Sequence, residues 1–236
     1  MLFTSLRHTS LTRNRNYRRR VVAPCALFTG IVQGRAEVTG WVEKPGAGRL
    51  QLRFPSGATR GVVVGASIAV AGVCLTVVEQ PSADELCFDV IAETLRATSL
   101  SRALRVGAAV NFERSARIGD EVGGHAVSGH VHAAAVVRAV EDTPGNRQLV
   151  LSLPNGLIKY VFPKGYVAVD GCSLTVGPVV GSSEFSVYLI PETLRVTTLG
   201  SLVAGSVANV ELEAATIATV ETVERVIERY KNESTA

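Results

Sequence analysis

Two short turns hold the densest polar chemistry in otherwise apolar stretches of the chain: Ala71-Gly72-Val73-Cys74-Leu75-Thr76 and Asp170-Gly171-Cys172-Ser173-Leu174-Thr175. On an extended strand, residues two apart share a face, so Cys74 and Thr76 point together, as do Ser173 and Thr175. A hydroxyl pair on an inward face needs hydrogen-bond partners, which a polar ligand can supply. The plainer alternative is that Cys74 is a small core hydrophobe and the hydroxyls satisfy nearby backbone. No His or Lys adjoins Cys74 in sequence, so nothing local marks it as a thiolate nucleophile.

Three of the four histidines, His125, His130 and His132, fall within Gly123–His132. His130 and His132 share a strand face, a spacing zinc sites use, yet no Cys or carboxylate stands at a natural offset as a third ligand, so no metal is expected. General acid–base work suits a histidine better here, because imidazole titrates near neutrality; for at least one of the three, a hydrogen-bonded structural role is the plain alternative. The chain contains no phosphate-cradling glycine loop, no dinucleotide fingerprint and no nucleophile elbow. Hydride transfer and phosphoryl transfer therefore have no residues behind them.

The elements that position these residues come from a duplication. Ile68–Val77 (IAVAGVCLTV) returns as Val167–Val176 (VAVDGCSLTV), an offset of 99, and Glu93-Thr94-Leu95-Arg96 returns as Glu192-Thr193-Leu194-Arg195 at the same offset. Phe54-Pro55 pairs with Leu153-Pro154 and Gly30-Ile31-Val32 with Gly129-His130-Val131, while Asn111-Phe112-Glu113 pairs with Asn209-Val210-Glu211 at 98. Such a period is too long for a solenoid and fits two similar domains. Within each copy, short apolar runs alternate with Pro-Gly, Ser-Gly or Asn-Gly turns, which predicts an all-β architecture of two tandem antiparallel barrels joined near residues 115–126. Thr94–Leu100 is expected to form a helical turn. The tail differs: from Ala214 to Glu233, Ile217, Val220, Val223, Ile227 and Tyr230 recur at helical spacing beside a charged flank, an amphipathic helix that either packs on its own barrel or drives self-association.

Composition narrows the partners. Hydrophobic residues make up 47% and aromatics 6%, so Val, Ala, Leu and Ile must fill the core. Residues 1–26 hold six arginines and no acid, leaving 18 basic against 21 acidic side chains in residues 27–236; the body presents no basic field, and nucleic acid is not an expected partner. That leader has the composition of an organellar transit peptide; the bland alternative is a translation start near Leu27. The uncharged stretch Val62–Val78 has 17 residues broken by Gly65, Ser67, Gly72 and Thr76, and no membrane span is expected. Cysteines at 25, 74, 87 and 172 form neither a metal spacing nor a disulfide framework, which favours a reducing compartment.

Taken in order, Leu27-Phe28-Thr29-Gly30-Ile31-Val32, Gly-Val-Cys-Leu-Thr-Val ending at Val77, Gly123-Gly124-His125 with Ser128-Gly129-His130, and Asp170-Gly171 before Ser173-Leu174-Thr175 resemble riboflavin synthase of the alpha type, from about Leu27 to Glu228. The resemblance implies two six-stranded lumazine-binding barrels, over residues 27–123 and 124–213, and a trimerisation helix over 214–236 that holds a homotrimer. It also implies dismutation of two molecules of 6,7-dimethyl-8-ribityllumazine to riboflavin and a pyrimidinedione without metal or redox cofactor. An association with lumazine synthase is a further expectation. A non-catalytic lumazine-binding antenna or carrier on the same fold is the rival reading. Plastid stroma is the compartment the family implies for a real leader, with mitochondrion second and cytoplasm if translation starts later.

By motif position, the resemblance places Gly30, Ile31 and Val32, Cys74, Leu75 and Thr76, and Asp89, Val90, Ile91, Ala92, Glu93 and Thr94 around the first pocket. Gly129, His130 and Val131, Lys164, Ser173, Leu174 and Thr175, and Leu189, Ile190, Pro191, Glu192, Thr193 and Leu194 go to the second. Phe28, Ser67, Cys74 and His130 are the candidates for the reacting region: Ser67 and Cys74 polarise the substrate, His130 moves protons and Phe28 packs on a ring. Glu213 stands where the family often has aspartate and joins the binding candidates with a longer reach.

Overall fold

The structure, a computed structural model, describes residues 27–103 and 105–234, so the leader expected over residues 1–26 lies outside the described residues. Among the described residues, twelve strands close into two antiparallel six-stranded barrels. The first comprises β1 (Gly34–Lys44), β2 (Ala47–Arg53), β3 (Ser67–Val70), β4 (Val73–Ser82), β5 (Glu85–Ile91) and β6 (Ala109–Arg114), in the closed order β1-β2-β5-β4-β3-β6. The second comprises β7 (Ala133–Thr143), β8 (Asn146–Ser152), β9 (Tyr166–Val169), β10 (Cys172–Val180), β11 (Glu184–Leu189) and β12 (Val207–Leu212), in the matching order β7-β8-β11-β10-β9-β12. Helices α1 (Ala92–Ala97) and α2 (Leu100–Ala103) connect β5 to β6, α3 (Pro191–Val196) follows β11, and α4 (Ala214–Ser234) ends the fold. Even the bulge in β1 between Val38 and Gly40 recurs in β7 between Val137 and Ala139.

Alternation along the strands fills both interiors with side chains. In β4, Val73, Leu75 and Val77 are buried in the first barrel; in β10, Leu174 and Val176 do the same in the second. Cys74 and Thr76, and Ser173 and Thr175, therefore point outward, which overturns the expectation of hydroxyls on an inward face. The same alternation turns the side chains of Val90 and Leu189 into their cores, at 1% and 0% exposure, which leaves their backbones alone on the outer faces. Phe88, Phe185, Leu50, Leu52, Leu149 and Leu151 complete the packing, so any ligand must sit on the outside of a barrel.

The barrels meet across a near-symmetric seam. Two-residue turns join β3 to β4 (Ala71-Gly72) and β9 to β10 (Asp170-Gly171), with positive φ at all four residues, as a type I′ hairpin requires. The turns abut so closely that a Cβ on Gly72 would lie 2.6 Å from the Gly171 nitrogen. Asn111 donates from Nδ2 to the Asp170 carbonyl (3.0 Å) and accepts from Thr198 N–H (2.7 Å). Asn209 mirrors it, donating to the Ala71 carbonyl (2.8 Å) and accepting from Ser99 N–H (2.6 Å). Asp170 has no charged counterpart at Ala71; burial raises its carboxyl to about 7, against a hydrogen bond from Asn209 N–H. The folded protein thus holds a proton that the unfolded chain releases above about pH 4, so this contribution to stability is complete below that pH and fades as pH rises through about 7.

Helix α4 divides its apolar stripe. Ile217 packs against the second barrel, and Glu221 and Glu224 pair with Lys159, 3.2 and 2.5 Å away, with Tyr160 also bonded to Glu221. Farther along, Val223, Val226, Ile227 and Tyr230 stay exposed. No described helix is long and apolar enough to cross a membrane.

Phe28 is fully buried at the seam against Ala69, Val127 and Ala168. Its backbone pairs reciprocally with Val127, N–H to carbonyl at 2.8 and 3.0 Å. Within the chain its ring faces neither barrel's outer surface, so the expected packing on a substrate ring gives way to a role as an inter-barrel plug. Phe28→Ala is expected to lower unfolding free energy in urea by about 3–5 kcal/mol, the range for an emptied aromatic site. A variant of wild-type stability would return Phe28 to a ligand-contacting role.

Candidate functional site

The outer face of β10 opens onto a cavity of about 630 Å³, lined by Lys164, Ser173, Leu174, Thr175, Tyr188, Ile190 and Thr193 among others. A second hollow of about 320 Å³ adjoins it through shared Ser173, Ile190 and Thr193 and adds Gly30, Ile31, Val32 and Glu192. Both volumes fall in the range that encloses a small aromatic ligand. Lys164 holds a left-handed φ of +69°, where the first barrel has Gly65 at +91°, and each donates its N–H to a strand carbonyl (Val176 and Val77) at 2.8 Å. A lysine accepts that backbone cost, about 1 kcal/mol or more, at the rim of the cavity, a placement that favours a ligand role for its ammonium.

Gly30, Ile31 and Val32 do not serve the barrel that follows them in sequence. The segment crosses the seam: Gly30 accepts the Ser173 N–H at 2.8 Å and Val32 packs into the second core. Gly129 makes the mirror contact, accepting the Cys74 N–H at 2.9 Å, and Val131 packs against the first core. The two triplets have therefore exchanged pockets relative to their expected assignment. His130 travels with Gly129 to the Cys74 side, where its N–H donates to Ser128 Oγ at 3.2 Å and its side chain is exposed.

Each face carries its own polar pair. Cys74 is half-buried; burial raises its thiol above the ordinary 9.0, the neighbouring Ser67 hydroxyl opposes that, and the Glu211 charge adds to it. On the second face, Ser173 Oγ and His125 Nδ1 lie 2.7 Å apart, and the His125 ring stacks on Tyr166 at 5.2 Å. Burial holds His125 below the ordinary 6.5 despite the Glu211 and Glu213 charges, which keeps its imidazole neutral at pH 7. His132 is likewise lowered by burial; its Nδ1 accepts the Leu212 N–H at 3.2 Å, a structural role.

Sequence comparisons meet the same boundaries. The lumazine binding domain family matches twice, over residues 29–115 and 128–214. Riboflavin synthase of Escherichia coli (strain K12) is 43% identical over 207 residues, covering 87% of this chain and 96% of that protein. The chain belongs to the riboflavin synthase family. Riboflavin synthase of Mycobacterium bovis is 42% identical over 189 residues, 79% of this chain and 93% of its own length. Among solved structures, LumP complexed with 6,7-dimethyl-8-(1'-D-ribityl) lumazine superposes with a TM-score of 0.70 at 26% identity, covering 79% of this chain and 99% of that one.

Set against the riboflavin synthase expectation, the structure gathers Lys164, Ser173, Leu174, Thr175, Ile190, Glu192 and Thr193 with Gly30, Ile31 and Val32 on one face. Pro191 sits at the first turn of α3, and Leu194 leans on the second core. On the other face Ser67, Cys74, Thr76, Gly129 and His130 come together, with Leu75 turned into the core. Asp89 there is tied to Arg49 at 2.9 Å and to Lys44 at 3.6 Å, beside exposed Ile91; Ala92, Glu93 and Thr94 form the start of α1, with Glu93 bound to Arg96. Glu213 accepts the Thr216 N–H at 3.0 Å and caps α4, with its charge felt at His125. His125, singled out above only as one of three histidines suited to acid–base work, and Tyr166, not among the candidates, both stand beside Ser173, although the 99-residue offset aligns Tyr166 with Ser67. The raised Cys74 thiol predicts that its alkylation by iodoacetamide keeps accelerating beyond pH 9; a rate that levels off below about pH 8 would show an activated thiolate instead.

Proposed function

We propose that this chain is a riboflavin synthase that brings two molecules of 6,7-dimethyl-8-ribityllumazine together and moves a four-carbon unit from one to the other, giving riboflavin and 5-amino-6-ribitylaminopyrimidinedione. The observation that carries this reading is the repetition of one outward-facing site on two barrels, a frame suited to two identical substrates. Atoms and electrons balance between the two lumazines, so no external oxidant is needed. A proton leaves the 7-methyl group of one lumazine, and the resulting carbanion attacks the other. Orientation of two rings and proton movement are then the main tasks of the protein. Ser67 and Cys74 act as hydrogen-bonding groups on one ring, His130 as the proton carrier beside them, and Lys164, Ser173 and Thr175 as the polar contacts of the other.

Mixing the full-length protein anaerobically with the lumazine alone is expected to yield one riboflavin for every two lumazines consumed. Tight binding without turnover would move the chain to the antenna or carrier class, which the LumP likeness keeps in view. The uncovered far half of α4, with Val223, Val226, Ile227 and Tyr230 exposed, supports a homotrimer in which these helices cover one another. The arginine-rich leader precedes the family match, which starts at residue 29, and its composition supports delivery to an organelle, plastid first. Native mass spectrometry of the protein isolated from its source reads both: three chains, each starting near Leu27, is the expected result. A single chain, or one retaining residues 1–26, would overturn the corresponding proposal.

A further inference from the structure

Neither site is held by its own barrel alone. Glu113, on β6 of the first barrel, is 3% exposed, and its carboxylate accepts the Thr29 N–H (2.6 Å), the Thr29 hydroxyl (2.9 Å) and the Gly30 N–H (3.0 Å). The segment it grips is the one that crosses to the second barrel. There, the Thr29 carbonyl accepts the His125 N–H at 3.1 Å and the Gly30 carbonyl accepts the Ser173 N–H at 2.8 Å. Glu211, on β12 of the second barrel, repeats the grip on Ser128 N–H, Ser128 hydroxyl and Gly129 N–H, each at 2.7–2.8 Å. Gly129 then meets Cys74 of the first barrel.

These crossings leave no slack. A Cβ on Gly30 would lie 2.5 Å from Ser173 Cβ, and one on Gly129 would lie 2.5 Å from Cys74 Cβ, so a small shift of either segment displaces the residue beneath it. Burial pushes the Glu113 carboxyl above the ordinary 4.5 while its three hydrogen bonds pull it back, and no salt bridge joins it among the described residues. A glutamine there would set an amide donor against an N–H donor and leave a buried group unpaired.

We propose that Glu113 and Glu211 are crossed positioning residues: the first-barrel carboxylate sets the geometry of the Ser173–His125 site, and the second-barrel carboxylate sets that of the Cys74–Ser67–His130 site. The inference rests on the reading that these two faces are the substrate sites. Nothing in it requires either carboxylate to touch the ligand.

The test uses the full-length chain with E113Q, E211Q and the milder pair T29V and S128A, which keep the carboxylate and remove only the hydroxyl that binds it. Riboflavin serves as the probe, read by the concentration that half-protects Cys74 from iodoacetamide and, in parallel, by quenching of riboflavin fluorescence. E211Q and S128A are expected to raise the half-protecting concentration about tenfold, the scale of one lost charged hydrogen bond. E113Q and T29V should leave protection of Cys74 at its wild-type value and weaken, by a similar factor, the binding that does not protect it. Equal effects of all four on both readouts, or effects confined to each carboxylate's own barrel, would overturn the proposal. Should riboflavin fail to protect the wild-type protein at any concentration, the functional reading falls, yet the ligand-free alkylation rate still decides the crossing: S128A, which keeps the Glu211 charge that itself raises the Cys74 thiol, changes it and T29V does not. A rate changed equally by both, or only by T29V, overturns it.

Discussion

Two buried asparagines hold the molecule together. Asn111 and Asn209 each use both ends of the side-chain amide across the seam, gripping the opposite hairpin turn with the NH2 and the opposite post-helix backbone with the carbonyl. Each is 1% exposed, where an unpaired amide costs roughly 1–3 kcal/mol, so the barrels fit only in the arrangement that satisfies both. That arrangement brings Gly72 against Gly171, seats Phe28 and Val127 between the barrels, and sends the two flanking segments across. The sites on the outer faces of β4 and β10 inherit their shape from this seam.

Duplication has kept the frame and let the faces diverge. Where the first barrel has Cys74 over Ser67, the second has Ser173 beside Tyr166 and His125. Gly65 corresponds to Lys164, and Asp89, bound to Arg49, corresponds to Tyr188 on the cavity wall. One face is therefore crossed by ion pairs, exposed and worth little to stability, and the other is more apolar with a single ammonium at its rim. Two identical substrates would meet two unlike environments, as a reaction needs when one partner donates carbon and the other accepts it.

Much of this was legible in the residues. An offset of 99 in four landmarks and 98 in a fifth fixed the duplication, the alternation of apolar residues fixed the strands, and the glycine-free tail fixed α4. The outward direction of Cys74 and Thr76 was also readable, since Val73, Leu75 and Val77 are the more apolar set and had to take the interior. The exchange of segments was not. An internal repeat aligns Gly30 with Gly129 whether each serves its own barrel or the other, because swapping equivalent parts leaves the alignment unchanged. Glu113 and Glu211 stood in plain view as repeat landmarks, but their work depends on three-dimensional contacts more than eighty residues apart in the chain.

The crossing also imposes an order on biosynthesis. When β6 leaves the ribosome the first barrel can close, but the face bearing Cys74 waits for Val127–Val131, and Phe28 stays without its partner until then. The opposite debt lasts longer: residues 28–32 can meet Ala69, Glu113 and Val127 earlier, but the crossing of Gly30 onto Ser173 waits until β10 emerges some 140 residues later. For that interval the nascent chain carries an apolar strap and an open seam in the same molecule, the pairing from which two neighbouring chains on one message can trade segments.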